Sequence, residues 1–329
     1  MKGTGLALLT VALAVVAAAG IAVGTKWIPP SVVLDALLHH DAGDPDHLIV
    51  TQVRVPRTLI GLLAGIALGA GGAILQGLTR NPLADPAIFG ISPGASLFVV
   101  LGISVFGVRS MAGYVWFAFL GAAVAAVIVY GIGTLGRDGA TPLKIVLAGA
   151  ACTAAFGSVT TGLLVTDNST YEQFRFWQVG SLAGRDLDVA WQGLPFLAAG
   201  LVLAVACARL LNGLSMGDDV ASSLGLNVPL SRVLCVLAVV VLCGTATAMA
   251  GPIAFVGLVV PHFARLITGP DHRWLLPYSA VLAALLVLVA DILGRVIARP
   301  GEVQVGIITA VLGAPVLVVL VRRRKWVSV

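Results

Sequence analysis

Nine stretches of this 329-residue chain run for 17 residues or more without an Asp, Glu, Lys or Arg. They cover residues 3–25, 58–79, 86–108, 110–136, 145–166, 189–208, 233–264, 274–290 and 303–321. About 20 apolar residues in helical form cross the hydrocarbon core of a bilayer. A helix suits that solvent because every backbone N–H and C=O is bonded within its own segment. One such run fits a buried core helix, but nine in succession fit a polytopic membrane protein. Composition agrees. Only 11% of the residues are charged, against about 25% in soluble domains, and the mean hydropathy is +1.03.

The run at 233–264 is too long for one crossing at about 1.5 Å per residue. Gly251-Pro252 lies inside it and divides it, since proline lacks a backbone donor and clashes with the preceding turn. Ten spans result, so both termini lie on one side. The Arg322-Arg323-Arg324-Lys325 cluster puts that side in the cytoplasm. Twelve Lys and Arg then fall inside and eight outside, while acidic residues divide five inside and ten outside. The first run has the look of a signal peptide, with Lys2 ahead of it and Ala17-Ala18-Ala19 within it. Removing it would leave nine spans and move the C-terminal arginines outside, so it is kept as a span. No polar domain or linker interrupts the pattern, and residues 1–329 read as one all-α transmembrane domain. Cys152, Cys207, Cys235 and Cys243 sit in apolar runs without C-x-x-C spacing and read as packing residues, not metal ligands. The net charge of +5 follows from topology, and nothing points to nucleic acid.

Gly61, Gly65 and Gly69, with Gly72 beyond, put small residues on one face of the second span and predict close helix packing. The segment QGLTRNPLADPAIFGISPGAS, residues 76–96, then breaks the apolar pattern. Asn81-Pro82 ends the second span, because the residue before proline avoids helix. Asp85-Pro86 and Ser92-Pro93 each read as an N-cap followed by proline at the first helical position. The expectation is a cytoplasmic connector holding a short helix between two turns.

Residues 54–96, RVPRTLIGLLAGIALGAGGAILQGLTRNPLADPAIFGISPGAS, resemble the signature of FecCD-type permeases. GPIAFVGLVVPHFARLITGPDHRWLLP (251–277) and ADILGRVIARPGEVQVGIITAVLGAPVLVVLVRR (290–323) are similar to two further signatures of that family. The resemblance spans nearly the whole chain in order. It implies the type II permease fold of an ATP-binding-cassette importer for ferric siderophores, haem or cobalamin, in the bacterial cytoplasmic membrane. Lys2, Lys26, Lys144 and Lys325 are the only lysines, and none lies in a G-x-x-x-x-G-K-[ST] loop. ATP and Mg²⁺ therefore belong to a separate nucleotide-binding subunit, implied in two copies beneath a permease homodimer or heterodimer. This chain reads as a transporter subunit, with no cofactor or catalytic residue of its own.

The resemblance also assigns site residues. The loop between the sixth and seventh spans, LSMGDDVASSLGLNV, would meet the ATPase as a coupling helix. Gly217, Asp218 and Asp219 would cap it, Val220, Ser222 and Leu224 would form it, and Gly225 would end it. Arg54, Arg57 and Arg295 fall on the external side, where basic residues are disfavoured. The family would use them to dock acidic residues of a binding protein. Lipid headgroups, or pairing within the chain with Asp291, are the alternatives. A cytoplasmic gate would lie near Ala140-Thr141-Pro142. FRFWQVGSLAGR, residues 174–185, resembles the outer loop of ferric-siderophore members, with Trp177 and Trp191 as interfacial anchors. The apolar runs show no chain of titratable groups of the kind ion-coupled carriers use. Nor do they hold H-E-x-x-H or an intramembrane aspartate pair, so an ion-coupled carrier or intramembrane enzyme fits less well than a permease.

Overall fold

The computed structural model describes residues 2–86, 90–135 and 142–323. Among them every regular element is a helix. In order these are α1 (Lys2–Ala22), α2 (Pro30–Leu38), α3 (Pro45–Leu48), a π-helical stretch (Ile49–Arg54), α4 (Val55–Thr79), α5 (Ile91–Ser104) and α6 (Met111–Gly133). They continue with α7 (Pro142–Thr166), α8 (Asn168–Gln178), α9 (Leu187–Leu214), α10 (Asp218–Ser223) and α11 (Val228–Ala250). The last are α12 (Val256–Thr268), α13 (His272–Ile297) and α14 (Val305–Arg323). Seven helices are long and apolar enough to cross a membrane: α1, the segment ending in α4, α6, α7, α9, α11 and α13. The apolar helices α5, α12 and α14 are shorter. Each of the ten runs expected from the sequence overlaps one of these apolar helices, of which seven and not ten are long enough to cross on their own among the described residues.

α4 is the axis of the bundle, packed against α9, α11, α12 and α13. Its glycines explain the closeness of that packing. Gly61 faces Leu182 and Leu288, and a methyl group at Gly65 would overlap the backbone of Ala284. At Gly69 it would meet the Ser279 carbonyl, and at Gly72 the backbone of Gly257. The four-residue spacing thus lays α4 antiparallel along α13, with Arg57 beside Asp291 and Gly77 beside His272.

Gly251-Pro252 breaks the long run as its composition predicts. α11 ends at Ala250, Gly251 takes a φ of 75°, and α12 begins at Val256. Phe255 also has positive φ, at 67°, an uncommon conformation for an aromatic residue. The 76–96 connector differs from expectation. α4 does end at Thr79, with Arg80 left-handed at φ 48° and Asn81 accepting from the Leu83 amide at 2.9 Å. But the chain then turns inward. Ala84 is buried, and Pro86 packs on Gly257 in a small cavity with Leu68, Asp85, Ser92 and Thr247. α5 starts at Ile91 after a left-handed Gly90, so Ser92 lies within the first turn and faces Thr247 instead of capping. Residues 87–89, where the short connecting helix was expected, lie outside the described residues.

Because a side chain at Gly69 has nowhere to go, Gly69→Val is expected to cost about 1–3 kcal/mol or more through overpacking. Gly131→Ala, with open space around its Cβ position, should leave stability unchanged or slightly raised. Thermal melting of the purified protein in detergent separates the two. Equal midpoints would remove the glycine stripe from the account of packing.

Candidate functional site

Two polar clusters mark opposite ends of the bundle. At one end α1 finishes with backbone carbonyls that lack helical partners, and three arginines supply them. Arg54 donates from Nη1 to the carbonyls of Ile21 (3.0 Å) and Ala22 (2.6 Å), and from Nη2 to that of Lys26. Arg295 Nη1 donates to Gly20 (2.9 Å) and Val23 (2.8 Å), and Arg299 Nη2 to Gly24 (2.7 Å). Cations here also complement the negative end of the helix dipole.

Asp291 joins this cap to the axis. Arg57 approaches it through Nε (2.9 Å) and Nη2 (2.7 Å), and Arg295 through Nη2 (2.9 Å). The Asp291 side chain is 1% exposed. The other face of Arg57 reaches Glu302 at 2.7 Å, and the Glu302 side chain is 30% exposed. Arg54, Arg57 and Arg295 are therefore all buried and bonded within the chain. Internal pairing, the alternative left open by the sequence, is how they are placed here. A cavity of about 310 Å³ opens beside them, lined by Lys26, Arg54, Arg57, Arg295 and Glu302 among others.

At the other end α10 spans Asp218–Ser223, between Gly217 (φ 103°) and Gly225 (φ 81°), close to the expected bounds. Asp218 does not cap it. Its carboxylate instead bridges Arg80 (2.9 Å) and Arg232 (2.6 Å), tying the end of α4 to the start of α11. Arg80 also donates to the Leu214 carbonyl. Val220 and Leu224 are exposed, at 42% and 63%, as is Met216. Asp219 and Ser222 point to solvent as well.

Several further bonds gather at this end. Lys2 Nζ donates to the Thr268 carbonyl (2.7 Å), and the Tyr278 hydroxyl donates to the Lys2 carbonyl (2.6 Å). Asn212, at the end of α9, donates to Asp271 (2.7 Å) and accepts from the His272 amide (2.9 Å). The Asn212 donor is the main reason the Asp271 carboxyl lies below its ordinary range. Gln76 donates to the Leu258 carbonyl (2.8 Å) and accepts from buried Arg265 (3.3 Å).

The 174–185 segment is built into the core. Phe174 and Trp177 are fully buried with ring centroids 5.6 Å apart, so Trp177 is no interfacial anchor. Trp191 is 63% exposed and retains that reading. The loop is held by Ser181 N to the Ala250 carbonyl (2.9 Å) and Gly306 N to the Gly180 carbonyl (3.1 Å). Arg185 is buried there, its pKa pushed down to about 10 by desolvation, so it stays charged at neutral pH. Of the expected gate, Ala140 and Thr141 lie outside the described residues, and Pro142 is described only as the first residue of α7.

The structure is thus a bundle of apolar helices with a buried ionic clamp at one end and a short, exposed helix at the other. Residues 10–323 match the FecCD transport family, and the chain belongs to it. It is 48% identical over 281 residues to a protein named as a probable siderophore transport system permease, YfiZ of Bacillus subtilis, covering 85% of this chain and 84% of that one. It is 46% identical over 317 residues to the ferric enterobactin transport system permease FepD of Escherichia coli, covering 96% and 94%. Other relatives are named as cobalamin and hemin permeases. Among solved structures, an inward-facing metal-chelate type ABC transporter superposes with a TM-score of 0.78 at 27% identity, covering 98% of this chain and all of that one. The chain is thus a multi-pass permease of an ABC importer.

Removing one partner of a buried ion pair costs about 3–5 kcal/mol. Asp291→Asn, which leaves Arg57 and Arg295 facing each other, should lower the melting point steeply. Glu302→Gln, at a partly exposed carboxylate, should lower it far less. Similar losses for both would show that Asp291 is not the pivot of the cluster.

Proposed function

We propose that this chain, as one membrane domain of ten spans with both termini cytoplasmic, imports a ferric siderophore across the bacterial cytoplasmic membrane. What supports the substrate is one observation: the two relatives described above, at 48% and 46% identity, carry names for siderophore or ferric enterobactin transport. The orientation rests on the Arg322–Lys325 cluster, and it sets the Lys2 and α10 end inside and the Asp291 end outside. Haem or cobalamin import by the same fold is the second reading, favoured by the more distant relatives.

In this reading an extracytoplasmic binding protein delivers the chelate to a pair of permeases, and two ATPase subunits drive its passage along the interface between them. The exposed Val220 and Leu224, with Met216, would seat in the ATPase. Gly217 and Gly225 would bound the coupling helix, while Asp218 would fix it to Arg80 and Arg232. Asp219 and Ser222 would lie at its rim, and Thr141 and Pro142 would form part of the cytoplasmic gate. Outside, an acidic side chain of the binding protein would enter the 310 Å³ cavity. There it would replace Glu302 on Arg57, with Arg54 and Arg295 supplying further positive potential. Such charges act mainly on encounter and orientation.

Uptake of iron-55 as a ferric siderophore, with labelled haem and cobalamin in parallel, tests the substrate in iron-starved cells with and without the gene. Gene-dependent uptake of siderophore iron alone is expected; gene-dependent haem or cobalamin uptake instead would transfer the assignment. Val220→Ser with Leu224→Ser should weaken ATPase assembly roughly tenfold or more through lost apolar burial, with folding intact; unchanged co-purification would remove α10 from the coupling surface. Glu302→Gln, freeing Arg57, should leave binding-protein affinity unchanged or raise it a few-fold, on the scale of an exposed ion pair. A large drop on surface plasmon resonance would exclude the exchange.

A further inference from the structure

A cavity between two of the long helices has no place in the transport scheme. It holds about 440 Å³ and lies between α9 and α13, where Ala70, Ala204, Ala208 and Ala280 leave a groove that larger side chains would close. That volume falls within the roughly 300–1,000 Å³ usual for ligand pockets. Its walls are apolar along the helices, and Arg209 and Arg273 stand at one end. Both arginines are exposed. Among the described residues neither guanidinium forms an ion pair. Asp271 feels the Arg273 charge, but its carboxylate is occupied by Asn212 and the Arg273 backbone amide.

We infer that this groove binds one anionic phospholipid of the cytoplasmic leaflet. An acyl chain lies along the alanines, and the phosphate is bound by Arg209 and Arg273. Each half of the site selects for its half of the ligand. An apolar trough open at the surface of the bundle favours a hydrocarbon chain over water. Two guanidiniums at its mouth match a phosphate, to which arginine presents paired parallel donors. Arg209 closes the apolar part of α9, and Arg273 opens α13, so both stand where a headgroup would sit. Basic recesses between membrane helices on the cytoplasmic side are known to take acidic headgroups. The occupant also fills the gap beside Ala70 on the α4 axis, so binding should stabilise the α4–α9–α13 packing.

The test is native mass spectrometry of the full chain in detergent, titrated separately with dioleoylphosphatidylglycerol and dioleoylphosphatidylcholine. One phosphatidylglycerol retained per chain, well ahead of phosphatidylcholine, is the expected result. Arg209→Gln with Arg273→Gln should weaken that binding about thirtyfold, from roughly tenfold or less per charge. Ala204→Phe with Ala280→Phe, which fills the trough and keeps both arginines, should abolish it, with gel filtration confirming that the variant is folded. Equal retention of the two lipids would overturn the proposal. So would full retention after either pair of substitutions, including a case in which the arginine pair instead loses only its ATPase partner. Inorganic phosphate that competes with phosphatidylglycerol at equal concentration would assign the arginines to a free anion and also overturn it.

Discussion

The buried Asp291 carboxylate fixes the relation between three helices distant in sequence. Arg57 reaches it from α4 and Arg295 from its own helix, and Arg295 simultaneously holds the carbonyls that end α1. A charge this deep is tolerable only when every lone pair is met, and here two guanidiniums meet both oxygens. The same geometry accounts for three arginines gathered at one end of the bundle. Their positive charge serves the end of a helix and a buried acid.

Along the axis the constraint changes from charge to volume. Glycines on α4 bring its backbone against α13 and α12, leaving no room for sliding at Gly65, Gly69 or Gly72. α4 and α13 therefore pack as a close pair, joined at one end by Arg57 and Asp291 and meeting at the other where Gly77 lies against His272. α7 and α14, with many exposed apolar side chains, are less committed to it.

What the sequence revealed was local. Apolar runs located the helices, because hydrophobic length and backbone bonding are decided within one segment. Gly251-Pro252 and the glycine stripe were equally legible, since each acts through its own backbone. The 217–225 helix was found from its flanking glycines, although the role of Asp218 was not, because Arg80 and Arg232 come from the ends of two other helices, α4 and α11. Arg57 and Asp291 are 234 residues apart, and no periodicity links them. Charge placement flagged Arg54, Arg57 and Arg295 as anomalous yet gave no partner to α1. Trp177 looked like an interfacial residue because it sits in a polar loop, and only the threading of that loop under Gly251 buries it. The inward dip at Asp85-Pro86 was missed for a similar reason. Punctuation in sequence marks a turn without giving its depth.

The arginine cap on α1 also imposes an order on biosynthesis. Arg54 follows α1 closely, but Arg295 and Arg299 emerge about 275 residues after the carbonyls they serve. At about 5–20 residues per second, the first helix waits roughly 14–55 seconds before the last donors reach it. Its end must meanwhile stay in contact with water or the insertion machinery. α1 is thus made well before the last of its partners and sealed only when they arrive.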